Sequence, residues 1–125
     1  MFGRAHAGLL SVAILPLGIG FALEPEVTTI QAGPVSYTRQ VAPIFRSRCA
    51  ECHGATTKEA GLDLSTYEAA MKGSEYGTVI EAGDAAASLL IEMVVAGEMP
   101  QDADPLPAEE IALIRAWIQA GATNN

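Results

Sequence analysis

Two cysteines followed directly by a histidine are the residues whose types and spacing suggest chemistry. Cys49, Cys52 and His53 lie in the stretch RSRCAECHGA, residues 46–55. A Cys-x-x-Cys pair can exchange disulfides, and thiolates with an imidazole can bind a metal ion. A third chemistry uses all three residues: the two thiols attach to haem vinyl groups as thioethers, and the adjacent imidazole is an axial ligand of the iron.

The surrounding sequence argues against the first two alternatives. Thiol exchange sites usually open a helix in a βαβ unit, and no strand pattern precedes Cys49. Structural zinc is almost always four-coordinate, whereas this motif offers three ligands, and adjacent Cys52 and His53 do not easily point at one tetrahedral ion. The cysteine spacing suits two vinyl groups on one porphyrin edge. We therefore predict one covalently attached haem c, with His53 bound to its iron.

The first 22 residues have the features of an export signal. Arg4 precedes an uncharged apolar run over residues 7–23, and small residues at Gly20 and Ala22 suit cleavage after Ala22. We therefore expect the mature protein to be periplasmic or otherwise exported. The alternative is a retained membrane anchor, because the run is near the lower length limit for spanning a bilayer. Residues 23–35 lack periodicity and are predicted to form a flexible tether.

Cleavage changes the charge and the histidine count. It removes Arg4 and His6, leaving six basic and fifteen acidic residues, a net charge of about −9. No basic stripe is present, so nucleic acid is not an expected partner. The negative charge indicates a solvated surface, and steering toward a basic partner is the alternative. His53 becomes the only histidine of the mature chain.

The second axial ligand must therefore come from another residue type, and methionine is the next candidate. Met71 and Met93 lie within apolar helical patterns, which predicts a packing role for both. Met99 instead precedes Pro100 in a proline-rich loop, and we predict that it is the distal ligand. A thioether ligand raises the reduction potential. This ligation suits an electron carrier better than an oxygen-activating enzyme.

Two short helices are predicted around the motif. The first begins at Ser36 as its N-cap, and Pro43 either starts the regular helix or kinks it. The segment GLDL, residues 61–64, is expected to be extended. The stretch from Ser65 to Glu68 fits a capping box that opens a helix to about Lys72, closed by Gly73.

Two more helices follow. Asp84 is predicted to cap a helix that ends at Gly97, and the last helix is predicted to start at Pro107 and stop at Gly121. The apolar face of the third helix is expected to comprise Leu89, Leu90, Met93 and Val94, and that of the last Ile111, Ile114, Trp117 and Ile118. The sequence thus predicts three to five short helices and almost no strand.

Six sequence segments follow one another along the chain: VAPIFRSRCAECHG, GLDLSTYEAAMKG, GTVIEAGD, SLL, MP and EEIALIRAWIQAGA. Together these resemble the planctomycete-type cytochrome c domain, a branch of the class I cytochrome c fold, over residues 37–122. The resemblance implies a small all-α fold around one haem, attached through Cys49 and Cys52. It further implies that His53 and Met99 are the axial ligands and that Trp117 lies near the porphyrin, where the first and last helices cross.

The predicted domain, residues 36–123, is thus a monohaem c-type cytochrome that passes single electrons between redox proteins and is not an enzyme. Two alternatives stay open: a haem sensor or enzyme with an open sixth site, and an electron-entry subunit of a membrane-bound oxidoreductase complex. The haem-free chain is expected to fold poorly, because the haem forms much of so small a core. Residues expected to bury the haem are Ile44, Phe45, Leu64, Tyr67, Leu90, Ile114 and Trp117.

Overall fold

Four α-helices make up the fold in the computed structural model, which describes Gly20 and residues 33–125. They are α1 (Ala42–Arg48), α2 (Tyr67–Lys72), α3 (Leu89–Val95) and α4 (Ala108–Gln119). A π-helical turn, Tyr37–Val41, leads into α1, and a 3-10 turn, Glu59–Gly61, lies between α1 and α2. The described residues contain isolated β-bridges but no strand. The predicted all-α class is therefore confirmed.

The predicted signal segment and most of the predicted tether fall on residues 1–32, which lie outside the described residues apart from Gly20. Within the part of the chain that the structure does describe, no helix has the length and apolar character needed to cross a membrane.

The helical path begins at Ser36, as predicted. The Ser36 hydroxyl oxygen accepts a hydrogen bond from the Arg39 N–H at 3.3 Å, which caps the π-helical turn. Pro43 then lies in the first turn of α1, where its missing N–H leaves no intrahelical bond unmade. Of the two alternatives for Pro43, the structure shows the first, because the regular α-helix starts at Ala42 with the proline in its first turn.

The cap of α2 differs from the prediction by one residue. The Thr66 hydroxyl oxygen accepts from the Ala69 N–H at 3.2 Å, so Thr66 is the N-cap. Ser65, the first residue of the predicted capping box, instead bonds to the Asp63 carboxylate through its backbone N–H and its hydroxyl. The Ser65 hydroxyl therefore binds the Asp63 carboxylate and does not cap the helix. Gly73 ends α2 with φ 80°, as predicted.

The predicted capping role of Asp84 is wrong. Its carboxylate accepts from the Ala87 N–H at 3.1 Å and so closes a separate turn before α3. The N-cap of α3 is Ser88, which is buried and donates its hydroxyl to the Asp84 carbonyl at 2.9 Å. The extra turn delays the start of α3 to Leu89.

The buried face of α3 also differs from the predicted one. It consists of Leu90, Ile91 and Val94, whereas Leu89 is exposed and Met93 is half-buried. The four residues of the predicted face, Leu89, Leu90, Met93 and Val94, all line a cavity described below. Ile91 is buried as well but does not line that cavity, and the predicted face omits it.

Helix α4 starts directly after Pro107, as predicted, although no side chain caps it. Glu109 and Glu110 lie in its first turn, where their negative charge suits the helix dipole. Ile114, Trp117 and Ile118 are buried, and Gly121, with φ 113°, follows the end of the helix.

An aromatic cluster fixes the packing of the π-helical turn and α1 on α4. Trp117 is only 1% exposed, and its ring centroid lies 5.2 Å from that of Tyr37, 6.2 Å from Phe45 and 6.4 Å from Tyr67. Its indole N–H donates to the Thr123 carbonyl at 2.8 Å. The buried indole nitrogen of Trp117 therefore has the hydrogen-bond partner that a buried N–H requires.

Asn125 ties the far end of the chain to the first helical turn. Its side-chain oxygen accepts from the Tyr37 N–H at 2.7 Å, and its carbonyl accepts from the Ser36 hydroxyl and the Thr38 N–H, both at 3.0 Å. These bonds satisfy donors that the start of a helix leaves without intrahelical partners. The two ends of the described domain are thereby held together.

Candidate haem site

Two adjoining cavities lie beside the Cys-x-x-Cys-His motif. The attachment cavity is lined by Cys49, Cys52, His53 and Met99, together with Arg48, Glu51, Glu59, Val94, Pro100, Gln101, Ala103 and Leu106. The core cavity shares Cys49, His53, Met99, Val94 and Leu106 with it. All four residues predicted as the site thus line the attachment cavity, although they come from two segments about fifty residues apart in sequence.

The walls of the core cavity are almost entirely apolar. Its buried lining consists of Phe45, Leu64, Val79, Leu90, Val94, Leu106 and Ile114. Four of the seven residues expected to bury the haem are among the lining residues: Phe45, Leu64, Leu90 and Ile114. An apolar cleft with a few convergent donor atoms is the usual form of a cofactor site.

The other three residues expected to bury the haem, Ile44, Tyr67 and Trp117, line neither cavity. The position of Trp117 near the porphyrin, which the resemblance implies, stays a prediction. Trp117 is a core aromatic that contacts Phe45, a lining residue of the core cavity.

The motif itself forms a tight turn directly after α1. The N–H groups of Cys52 and His53 both donate to the Cys49 carbonyl, at 3.2 and 2.8 Å. Cys49 is half-buried and Cys52 is exposed, and neither thiol is in a disulfide. Gly54 follows, and a Cβ at this position would collide with the Ala50 carbonyl oxygen. A glycine is therefore required after the histidine, because the backbone at this position passes close to the Ala50 carbonyl.

The ring of His53 is oriented by a backbone carbonyl. Its Nδ1 lies 3.1 Å from the carbonyl oxygen of Glu59. A carbonyl only accepts, so Nδ1 must carry the proton and Nε2 keeps its lone pair free for a metal. The Glu59 N–H in turn donates to the Cys52 carbonyl at 3.0 Å. Sequence reasoning missed Glu59, because a main-chain oxygen has no signature in residue type.

The environment of Cys49 does not favour thiol exchange. Burial, with a smaller contribution from the Glu110 carboxylate, raises the pKa of the Cys49 thiol to about 11, and Arg48 acts in the opposite direction. Little reactive thiolate therefore exists near neutral pH. Arg48 is engaged with Glu110 through two hydrogen bonds, Nε to Oε2 at 3.0 Å and Nη2 to Oε1 at 3.2 Å. This pair joins the end of α1 to the first turn of α4.

Met99 lies in the loop between α3 and α4. Its N–H donates to the Met93 carbonyl at 3.2 Å, and its half-buried side chain packs against the core and lines both cavities. Met71 packs against the core from α2, in agreement with its predicted role. Met93 lines the core cavity, so the structure presents a second thioether that the sequence had assigned to packing alone.

These residues suit a covalently attached haem. Two thiols, an imidazole with a free Nε2 and a thioether line the attachment cavity, and all of them except Cys52 also line the apolar core cavity. Within residues 33–125, no three side chains of His, Cys, Asp or Glu converge as metal ligands. Haem iron needs only axial ligands from the protein, because the porphyrin supplies the others.

The helical fold and this set of donors define the class of protein: a small cytochrome c-like domain. The model of the family described as Planctomycete cytochrome C matches residues 49–102. This match confirms the resemblance found in the sequence, over a little under half of the chain. No curated protein and no solved structure matches the chain.

The family match establishes the cofactor and the broad role. The cofactor is covalently bound haem c with its iron, and the matched family implies a haem-binding electron carrier. The matched residues span the stretch from Cys49 through Met99 and end before α4.

Proposed function

We propose that the chain is an exported monohaem c-type cytochrome that transfers single electrons between redox proteins, with His53 and Met99 as axial ligands. The observation that carries this proposal is the shared position of His53 and Met99, which line the same two cavities as Cys49. Haem supplies the one-electron chemistry of its iron when bound.

Each group of residues has a separate task in this proposal. Cys49 and Cys52 hold the cofactor through thioether bonds, and the Glu59 carbonyl keeps the proton of His53 on Nδ1. The Met99 thioether is a soft donor that favours the reduced iron and raises the potential. The apolar walls of the core cavity exclude water, which lowers the solvation of the more highly charged oxidised state.

The exposed position of Cys52 at the attachment cavity supports electron exchange with other redox proteins on that side. The export signal predicted over residues 1–22 supports a periplasmic location. If the signal is cleaved after Ala22, mass spectrometry of the haem-loaded protein will give a mature chain that begins at Leu23. A retained Met1 would contradict cleavage and favour the membrane-anchored subunit.

Replacing Met99 by leucine tests the axial ligation. The wild-type protein is expected to show six-coordinate, low-spin iron with the weak far-red absorption band of a methionine ligand. Met99→Leu keeps nearly the same volume but lacks the sulfur, so the band should disappear and the reduction potential should fall. Absorption spectroscopy of both redox states and a redox titration give these results.

Met93→Leu is the matched control, because Met93 lines the core cavity and its carbonyl binds the Met99 N–H. This variant should keep the far-red band and the low-spin state. Loss of the band in Met93→Leu but not in Met99→Leu would transfer the ligand role to Met93. High-spin iron in the wild type would contradict the Met99 assignment and favour a sensor or enzyme with an open sixth site.

A further inference from the structure

The outer end of the core cavity is bordered by two exposed apolar side chains, Tyr76 and Leu89. Among residues 33–125, the exposed large hydrophobic side chains are Tyr76, Leu89 and Val95, with 83%, 44% and 54% of their surface accessible. Tyr76 and Leu89 both line the core cavity, and Val95 does not. Exposed apolar surface that converges on one opening indicates a place where an apolar partner is bound.

Tyr76 is presented by a tight turn with several internal hydrogen bonds. The Ser74 N–H donates to the Gly77 carbonyl at 2.8 Å, and the Gly77 N–H donates back to the Ser74 carbonyl at 3.2 Å. The Tyr76 N–H donates to the Ser74 hydroxyl oxygen at 3.1 Å. The aromatic ring is therefore carried on a fixed backbone.

This turn is docked on the segment that orients His53. The Glu75 N–H donates to the Ala60 carbonyl at 2.9 Å, and Ala60 belongs to the same 3-10 turn as Glu59. Gly73, which precedes the turn, has φ 80° and is buried, and a Cβ there would collide with the Gly77 carbonyl. The position of Tyr76 is thus defined relative to the His53 side of the cavity.

Leu89 reaches the opening from a different element. It is the first residue of α3, and the following residue, Leu90, donates its N–H to the Val79 carbonyl at 3.0 Å. This bond fixes the start of α3 beside the apolar pair Val79 and Ile80, which are both buried. Two independent and rigid elements therefore contribute one apolar side chain each to the same opening.

We propose that Tyr76 and Leu89 close the outer end of the core cavity over the bound haem and shield that part of the cofactor from water. Both residues act by covering the cofactor, and in Tyr76 the aromatic ring rather than the hydroxyl provides the cover. The proposal rests on the haem occupying this cavity and is independent of which residue is the second axial ligand. Shielding favours the less charged, reduced state, so it contributes to a higher reduction potential.

The carboxylate of Glu75, the neighbouring residue in the turn, raises the pKa of Tyr76. Its negative charge acts on the phenol hydroxyl, and the proposed cover is assigned to the ring.

The test compares Tyr76→Ala, Tyr76→Phe, Leu89→Ala and Val95→Ala in the haem-loaded full chain. Two quantities are measured: the exposure of the haem, from solvent perturbation of its absorption bands, and the midpoint potential. Tyr76→Ala and Leu89→Ala should increase haem exposure and lower the potential. For Tyr76→Ala, the ratio of oxidised to reduced haem at a fixed potential should rise about threefold, or about 28 mV at 59 mV per tenfold for one electron. Tyr76→Phe and Val95→Ala should match the wild type.

Wild-type exposure and potential in both Tyr76→Ala and Leu89→Ala would overturn the proposal. An effect of Tyr76→Phe as large as that of Tyr76→Ala would also overturn it, because the hydroxyl would then carry the effect. The far-red methionine band separates this result from the proposed axial ligation. If Tyr76→Ala and Leu89→Ala keep the far-red band and show no change in haem exposure or midpoint potential, only the shielding proposal is wrong. If the wild type lacks the band, the Met99 assignment is wrong, and the exposure measurement still decides the shield.

Discussion

Without its haem, the chain is expected to lose its cooperative unfolding transition. Seven of the seventeen buried apolar residues in the described core face the core cavity rather than other side chains on that side. Without the haem these walls border a cavity of about 180 Å³. At about 24 cal/mol per Å³, such a cavity costs about 4 kcal/mol, which is a large part of the whole stability of about 5–15 kcal/mol of a native domain.

Two haem-free samples test this expectation. One is the wild-type chain made where haem is not attached, and the other is the double variant Cys49→Ala, Cys52→Ala. Thermal unfolding followed by circular dichroism should show a sharp transition for the haem-loaded protein and only a broad, shallow change for both haem-free samples. Agreement between the two haem-free samples separates loss of the cofactor from loss of the cysteines.

A cooperative transition in the haem-free wild-type chain, with a midpoint close to that of the haem-loaded protein, would contradict the expectation. It would mean that the aromatic cluster around Trp117 and the hydrogen bonds of Asn125 stabilise the domain without the cofactor. The double variant alone losing its transition would point to the cysteines themselves, since Cys49 is half-buried and packs against the core.

The features that were predictable from the sequence are those encoded in a few neighbouring residues. The Cys-x-x-Cys-His turn is local, and so are the start of the first helix at Ser36 and the start of α4 after Pro107. Met99 was singled out because it lies outside any apolar pattern, and it lines the same cavities as His53. In these cases the residue types themselves limit the backbone to few conformations.

The sequence predictions differ from the structure at two kinds of place. In one, two capping patterns compete, and in the other, a helix borders the cavity as well as the core. Asp63 binds Ser65, so Thr66 caps α2, and this choice depends on a side chain outside the capping pattern. On α3, the four predicted apolar residues, Leu89, Leu90, Met93 and Val94, all line the cavity, but the prediction omits Ile91, which is buried in the core. A helix between a core and a cofactor has two apolar faces, which periodicity alone cannot assign.

Other contributions leave no mark in residue type. The bond from the Glu59 carbonyl to His53 depends on the path of the 3-10 turn, and the exposure of Tyr76 depends on how its turn docks on Ala60. A single aromatic residue in a glycine-spaced loop has no periodicity from which a cavity contact could be predicted. These parts of the site follow only from the tertiary structure.

Replacing Trp117 is expected to produce the largest loss of stability from a single substitution in the core. Trp117→Ala removes a side chain that is 1% exposed and contacts three aromatic rings, and it leaves the Thr123 carbonyl without its donor. Such a truncation costs about 3–5 kcal/mol. Trp117→Phe keeps one ring and should cost less. Denaturant unfolding of the haem-loaded protein, followed at the haem absorption band, measures both values.

The same variants decide whether Trp117 influences the haem directly. Trp117 lines neither cavity, so Trp117→Phe should leave the far-red band and the midpoint potential close to their wild-type values. Phe45→Leu is the matched comparison, because Phe45 contacts Trp117 and also lines the core cavity. Phe45→Leu should lower stability and shift the potential together. A shift in Trp117→Phe equal to that in Phe45→Leu would instead place the indole against the porphyrin, since stability loss alone does not alter the environment of the iron.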